Sequence, residues 1–316
     1  MSLFTSNFKQ EAAALSFVAL ALLTCELGLR ASIQRASIDV RHIRAIPKIV
    51  AGLAGARHPT FLFLGNSLTR SGVIPEVLAG TRAAGGFGKA HVALIHPDDT
   101  TISDWLYLYE RFVRSKGAAP DVLLIGFAKD HLSDSHALHV DRLGGYFGGL
   151  GALPEAFSYD VPDLNGRVSY LLSSLSCAYA NRDRVRTQVF ASLIPYYKAS
   201  AQDLNKAVKV REQISTGAAS PRYKRLTRFL GLFKGTPTKV VFIAIPVPAV
   251  DPIDPSLESV LKENSSQLID LRRLAGLTER DYLDGYHLTP HGGAVFTREL
   301  SRRLLDSRDV RTLLKN

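Results

Sequence analysis

From residue 59 onward the chain alternates short apolar runs with amphipathic stretches, and this rhythm restricts the fold more than any other feature. Apolar runs occur at 61–65, 91–95, 122–127, 239–245 and 267–271. Helical patterns are expected over Ile74–Gly80, Ile102–Arg114, Ser256–Glu263 and Pro290–Leu305. Runs with no polar alternation belong to strands buried on both faces, and such strands form parallel sheets covered by helices on either side. The expected fold class is therefore α/β, a three-layer α/β/α arrangement around a parallel sheet. A chain of 316 residues and 46% hydrophobic content suffices for one large domain with decoration or two small ones.

The stretch 131–235 breaks the rhythm. It is Gly-rich at 144–151, then Ser- and Tyr-containing, then strongly basic. A structureless loop of that length is rare in a compact domain, so it reads as a mostly helical insertion or lid. Gly144-Gly145 and Gly148-Gly149 lack the preceding strand of a phosphate loop and read as flexible loop.

Residues 12–29 form an apolar run of 18 that only Glu26 interrupts. That length meets the lower limit for one membrane-spanning helix. A cleaved signal peptide is the competing reading, but a clear small-x-small cleavage site is missing and Lys9 is the only basic residue before the run, apart from the N-terminus. Leu22-Leu23-Thr24-Cys25 fits a lipoprotein box poorly, and a buried soluble helix is the third option. The expected organisation is an uncleaved anchor over 1–30, a basic linker over 31–58 that reads as a helical linker or stalk, and the α/β domain over 59–316. Arg30, Arg35, Arg41, Arg44 and Lys48 follow the run, which by the positive-inside rule places the large domain in the cytoplasm.

The net charge of +10 and pI of about 9.6 raise a nucleic-acid reading. The basic residues cluster at 182–186, 206–228 and 298–311 among helix formers, with no nucleic-acid signature. Affinity for an anionic surface, or plain solvated helix faces, explains them better. Cys25 and Cys177 are the only cysteines, and the first lies in the apolar run, so no disulfide is expected. His131, Asp134, His136, His139 and Asp141 crowd together without a zinc spacing, and a polar loop accounts for them as well. No metal site and no cofactor are expected.

Two distant segments carry the chemistry. Phe61 to Leu64 runs into Gly65-Asn66-Ser67, which places a hydroxyl at the carboxyl end of the first strand, where ligands of open parallel sheets bind. Asp284-Gly285-Tyr286-His287 places a carboxylate three residues before an imidazole, just ahead of the last helix. A hydroxyl, a base and an orienting acid are the parts of a serine acyl-transfer site. Each has a plain alternative: Ser67 as a helix cap, Asp284-Gly285 as a turn, His287 as a packed side chain. Their joint occurrence favours the catalytic reading. Trp105, Tyr107 and Tyr109 read as core and surface alternation, and His291 as part of the last helix's first turn.

Gly65-Asn66-Ser67 after a strand, with Asp284-x-x-His287 near the end, resembles the SGNH (GDSL-like) hydrolase superfamily. The segment from Asp284 to Ala294 looks like that family's last motif in membrane-anchored bacterial relatives that assist O-acylation of envelope polymers. The resemblance covers roughly 59–130 and 236–306. It implies a flavodoxin-like sheet, Ser67 as nucleophile, His287 as base and Asp284 as its partner. It also implies an acylated carbohydrate or other ester as substrate, an integral-membrane O-acyltransferase as partner, and an extracytoplasmic location, in conflict with the charge rule. Two motifs depart from the family. Ile95-His96-Pro97-Asp98-Asp99-Thr100 has no Gly for the oxyanion hole, so a backbone N–H of Asp98 or Asp99 is the substitute. Lys129 stands near the usual Asn position after the third strand. Asn66, Asp98 and Lys129 are thus the oxyanion and substrate-binding candidates. An acyltransferase, a hydrolase, a tethered small-ester esterase or lipase, and a non-catalytic accessory protein all remain open from sequence.

Overall fold

The computed structural model describes residues 3–85, 88–136, 138–197, 199–200, 222–248, 250 and 252–315. In chain order the main elements are α1 (Leu3–Ala36), α2 (Ile38–Ala54), β1 (Thr60–Leu64), α3 (Ser67–Gly72), α4 (Pro75–Ala84), β2 (His91–Ile95), α5 (Ile102–Leu108) and β3 (Val122–Phe127). Next come α6 (Leu153–Tyr159), α7 (Leu164–Leu175), α8 (Cys177–Ala180), α9 (Arg182–Leu193) and α10 (Lys224–Gly231). The chain closes with β4 (Lys239–Ala244), α11 (Pro255–Glu263), β5 (Gln267–Asp270), α12 (Pro290–Asp306) and α13 (Arg308–Lys315). The expected strands are all present within a residue at each end. The expected helix over Ile102–Arg114 is α-helical only to Leu108, and continues as a π-helical turn over Tyr109–Val113.

The chain divides into two compact units, one of residues 39–138 and 219–316, the other of 1–38 and 139–218. The first contains the sheet, five parallel strands in the order β2-β1-β3-β4-β5. Side chains alternate across it as the pleat requires. Phe61, Phe63, Val122, Leu124, Val241 and Ile243 join Leu78 of α4 and Phe296 and Leu300 of α12 in one core cluster. Leu62, Leu64, Leu123, Ile125 and Phe242 are buried on the opposite face. There α5 meets α10, and Tyr109, just past α5, sets its ring edge-on to Phe229. This is the three-layer α/β/α fold expected from the apolar runs. Because β2 and β3 flank β1 on opposite sides, the strand order reverses at β1, and in open parallel sheets ligands bind beyond the carboxyl ends of the strands at such a point.

Residues 31–58, read from the sequence as a basic helical linker or stalk, are mostly helix, as expected, but α2 is packed rather than a free stalk. From Asp39 on, α2 belongs to the sheet unit and buries Val40, Ile43, Ile46, Val50 and Leu53. Those positions recur every three or four residues, the spacing of one helix face. Interspersed Arg and Lys masked it in a reading by composition. Two polar residues of α2 hold the segment after β2. His42 stacks on His96 with ring centroids 4.0 Å apart and takes the His96 N–H at Nε2 (2.9 Å), while Asp39 accepts the Asp98 N–H (2.8 Å).

In the second unit, α1 is long and apolar enough to cross a membrane over Phe8–Ala36, a test that a signal sequence also passes. The sequence-expected insertion over 131–235 is divided: its 139–218 part groups with α1, whereas 131–138 and α10 belong to the sheet unit. Part of the basic stretch 206–228 falls outside the described residues. The Gly144–Gly149 run is not a flexible loop. It forms a π-helical turn over Leu143–Gly148 whose glycines admit α7, with Gly144 against the Tyr170 carbonyl and Gly148 against the Tyr170 hydroxyl. That hydroxyl donates to the Gly149 carbonyl (2.7 Å).

The His42–His96 pair makes the sheet unit acid-sensitive. Burial pushes His96 down to about 4, with the neighbouring His42 adding to the effect, and burial lowers His42 as well. The unfolded chain then binds more protons than the folded one between an ordinary histidine value of about 6.5 and about 4, so stability falls as pH falls through that window. Urea midpoints measured across it should decline with acidification, and the His96→Asn protein should show a shallower decline.

Candidate active site

The site forms where three pieces of local chemistry meet. Asn66 ends β1's extension in a β conformation and caps α3, its Oδ1 accepting the Leu68 N–H (3.1 Å). The next residue is Ser67, so the cap fixes the serine at the first position of a helix above the sheet. Asn66 is 3% exposed, and its amide nitrogen donates to the Thr100 carbonyl (3.0 Å) and to Nδ1 of His131 (3.1 Å). His131 must accept there, because it also receives the Ala128 N–H (3.3 Å). Burial pushes His131 down to about 4, which keeps it neutral and able to accept.

The histidine arrives on a closed loop. Leu283 N–H donates to the His287 carbonyl and Thr289 N–H to the Asp281 carbonyl, both at 2.8 Å. Gly285 at the tip has φ +74, a conformation open to glycine at no steric cost. Asp284 Oδ1 accepts the N–H groups of Tyr286 (3.1 Å) and His287 (2.8 Å), an Asx-type turn that aims the imidazole back at the carboxylate. This is why the three-residue spacing works.

His287 Nδ1 lies 2.8 Å from Asp284 Oδ2, and His287 Nε2 lies 2.8 Å from Ser67 Oγ. Burial raises the Asp284 carboxyl, but the hydrogen bonds from His287 and Tyr286 outweigh it and hold the group below its ordinary value. An ionised carboxylate only accepts, so Nδ1 carries a proton, and in the neutral imidazole Nε2 then turns its lone pair to the serine hydroxyl. The imidazole side chain is 23% exposed and the carboxylate 44%, leaving the dyad open to solvent on one side.

The helix behind the loop ties it to the serine. Thr289 caps α12 through the Gly292 N–H (3.1 Å). A β-carbon on Gly293 would stand 2.6 Å from the Ser71 carbonyl, and one on Gly292 2.8 Å from the Asp281 carbonyl. Thr297 donates to the Gly72 carbonyl (2.7 Å) and accepts the Ile74 N–H (3.0 Å). Beneath, Gly65 and Gly126 at the ends of β1 and β3 let Thr69 of α3 sit directly on the strands.

The three oxyanion candidates fare differently. Asn66 has both amide hydrogens engaged below the serine. The Asp98 N–H is held by Asp39, and its carboxylate pairs with Arg70 of α3. Lys129, at φ +50, places its ammonium 5.6 Å from the Tyr286 ring centroid, and that ring meets His287 edge-on at 5.6 Å. Lys129 is thus the candidate whose charged group contacts a ring that itself contacts His287.

The polar cluster after β3 disperses. His131 supports Asn66, His136 pairs with Asp130 (3.4 Å), and Asp134 caps α10 through Lys224 and Arg225. Asp141 lies in the other unit, with Arg182. Among the described residues no three His, Cys, Asp or Glu side chains gather as a metal site would need. Trp105 is buried and donates to the Gly65 carbonyl (3.2 Å) and Thr100 Oγ1 (3.0 Å), bracing the nucleophile turn. His291 sits in the first turn of α12 and pairs with Asp281. Sequence reasoning missed Asp39 and His42, whose partners are remote backbone N–H groups, and read His131 as part of a polar loop when its partner is the Asn66 side-chain amide; a buried indole's need for an acceptor was the one available hint for Trp105.

No known family profile matches the chain, and no curated protein matches it. Among solved structures, it is similar to a lipase/acylhydrolase from Enterococcus faecalis, at 14% identity over 78% of this chain and 96% of the other, with a TM-score of 0.38. It is also similar to the acetylxylan esterase Axe2 from Geobacillus stearothermophilus, at 13% identity over 81% and 95%, with a TM-score of 0.37. At TM-scores this low the likenesses define neither family nor activity. Fold and site together define a parallel α/β domain bearing a hydrogen-bonded Ser-His-Asp relay.

Gly293→Ala tests the tie between the two loops. A methyl group 2.6 Å from a backbone carbonyl forces α12 away from α3. The change should destabilise the fold by about 1–3 kcal/mol, the usual range for overpacking. It should also lengthen the Ser67–His287 contact in a crystal structure of the variant.

Proposed function

We propose that this protein is a serine-dependent acyl-ester enzyme of the SGNH type. The observation that carries the reading is the continuous relay from Ser67 Oγ through His287 to Asp284. Ser67 attacks the ester carbonyl while Nε2 of His287 takes its proton, and Asp284 stabilises the imidazolium. The imidazolium then protonates the departing alkoxide, leaving an acyl-serine. Water or a sugar hydroxyl, deprotonated in turn by His287, resolves it, and the choice between them separates a hydrolase from a transferase. The relay needs no cofactor. Lys129 supplies positive charge toward the carbonyl oxygen as it becomes an oxyanion.

The finer reading is acetyl transfer to or from a cell-envelope polysaccharide by a protein anchored through α1, with the catalytic unit outside the cytoplasm. It rests on the resemblance of the Asp284–Ala294 segment to membrane-anchored relatives and on the length of α1's apolar stretch. An integral-membrane O-acyltransferase is the partner this reading calls for. A second reading, a non-catalytic accessory of such a complex, is favoured by the Asp98 N–H and the Asn66 amide both being engaged away from the serine.

Turnover of p-nitrophenyl acetate and release of acetate from an acetylated polymer separate the two. Ser67→Ala and His287→Ala should each lower kcat by about 10³-fold or more. Lys129→Met should lower kcat by about 10²-fold with little change in KM, as loss of an oxyanion donor does. A folded wild-type protein no faster than Ser67→Ala would favour the accessory reading.

A further inference from the structure

Helix α7 presents its faces in the reverse of the usual order for a water-soluble helix. Its small and polar side faces the protein: Tyr170 and Ser173 are buried, and Ser174 donates to the Gly144 carbonyl (3.1 Å). The outward side carries Leu164, Val168, Leu171, Leu172 and Leu175, which at 100° per residue fall within one 100° arc. Leu164 is 75% exposed and Leu175 59%. Further along the same unit, Leu193 is 73% exposed and Tyr196 85%. An exposed apolar stripe of this kind marks a surface built to be covered.

The same unit ties this face to the apolar helix α1. Glu26 and Arg30 lie at the distal end of α1's apolar run and fasten it to the end of α7. Arg30 donates to the Leu175 carbonyl (2.8 Å), and Glu26 accepts from the Ser176 hydroxyl (2.8 Å) and the N–H groups of Cys177 (2.7 Å) and Ala178 (2.9 Å). A spanning helix becomes polar where it leaves the hydrocarbon. On the anchor reading of α1, the end of α7 that it fastens lies where the helix leaves the hydrocarbon.

We propose that the outward face of α7 lies on the lipid surface as an interfacial helix, a second membrane contact beside the α1 anchor. This rests on the membrane-anchor reading of α1. Interfacial helices of this class bury their apolar face at the level of the headgroups and first acyl carbons.

The test uses the full chain carrying Cys25→Ser and Cys177→Ser, with a bimane label on either Val168→Cys or Leu20→Cys. The proteins are reconstituted in vesicles of zwitterionic and anionic phospholipid. Quenching is read with spin-labelled lipid and with aqueous iodide. The expected result is that spin-labelled lipid quenches the position-168 probe to within about twofold of the position-20 probe. Lipid quenching at 20 with iodide quenching at 168 overturns the inference and leaves the anchor standing. Shielding of 168 from both quenchers also overturns it, because a second copy of the protein then covers the face. Absence of lipid quenching at 20 removes the anchor reading and the inference with it.

Discussion

Everything functional in the sheet unit depends on how closely α12 approaches α3. The nucleophile and its base are separated by 220 residues, and a relay tolerates very little misplacement. The approach is permitted by the missing side chains of Gly292 and Gly293 and locked by Thr297, which accepts one backbone hydrogen bond from the α3–α4 connection and donates one to it. Buried backbone groups that lose such partners cost about 1–3 kcal/mol each, so this contact is both structural glue and the ruler for the site. The Thr-Pro-His-Gly-Gly sequence is thereby explained as packing: a cap, a helix-starting proline and two points of contact.

A second layer of support lies under the serine. Asn66 connects the cap of α3 to Thr100 and His131, and Trp105 closes the same turn from the side. These partners are neutral and buried, which suits groups that hold geometry without competing for protons. Asp284, by contrast, stays ionised because its own loop donates to it. The unit thus keeps charge at the relay and neutrality beneath it, the separation a general base requires.

Much of this was legible in the chain. Continuous apolar runs marked the strands because both faces of a parallel sheet are buried, and Asp284 and His287 stood out because their spacing is local. Ser67 was legible by its place after β1. What escaped were partnerships set by the fold: His42 with His96, Asp39 with the Asp98 N–H, and His131 with Asn66. A free helical stalk and a packed helix both set Arg between apolar residues, which is why the burial of α2 was not legible although its helix was. The Gly144–Gly149 run escaped for a similar reason, since glycine marks both mobile loops and close helix contacts, and only Tyr170 lying across it separates the two.

The proposed chemistry requires Ser67 to be an activated nucleophile. Mass spectrometry of the full chain after exposure to a serine-directed fluorophosphonate tests this directly. The expected result is a covalent adduct on Ser67 that is lost in the His287→Ala protein. A folded protein that takes no adduct, or one whose Ser67 is labelled equally without His287, contradicts it.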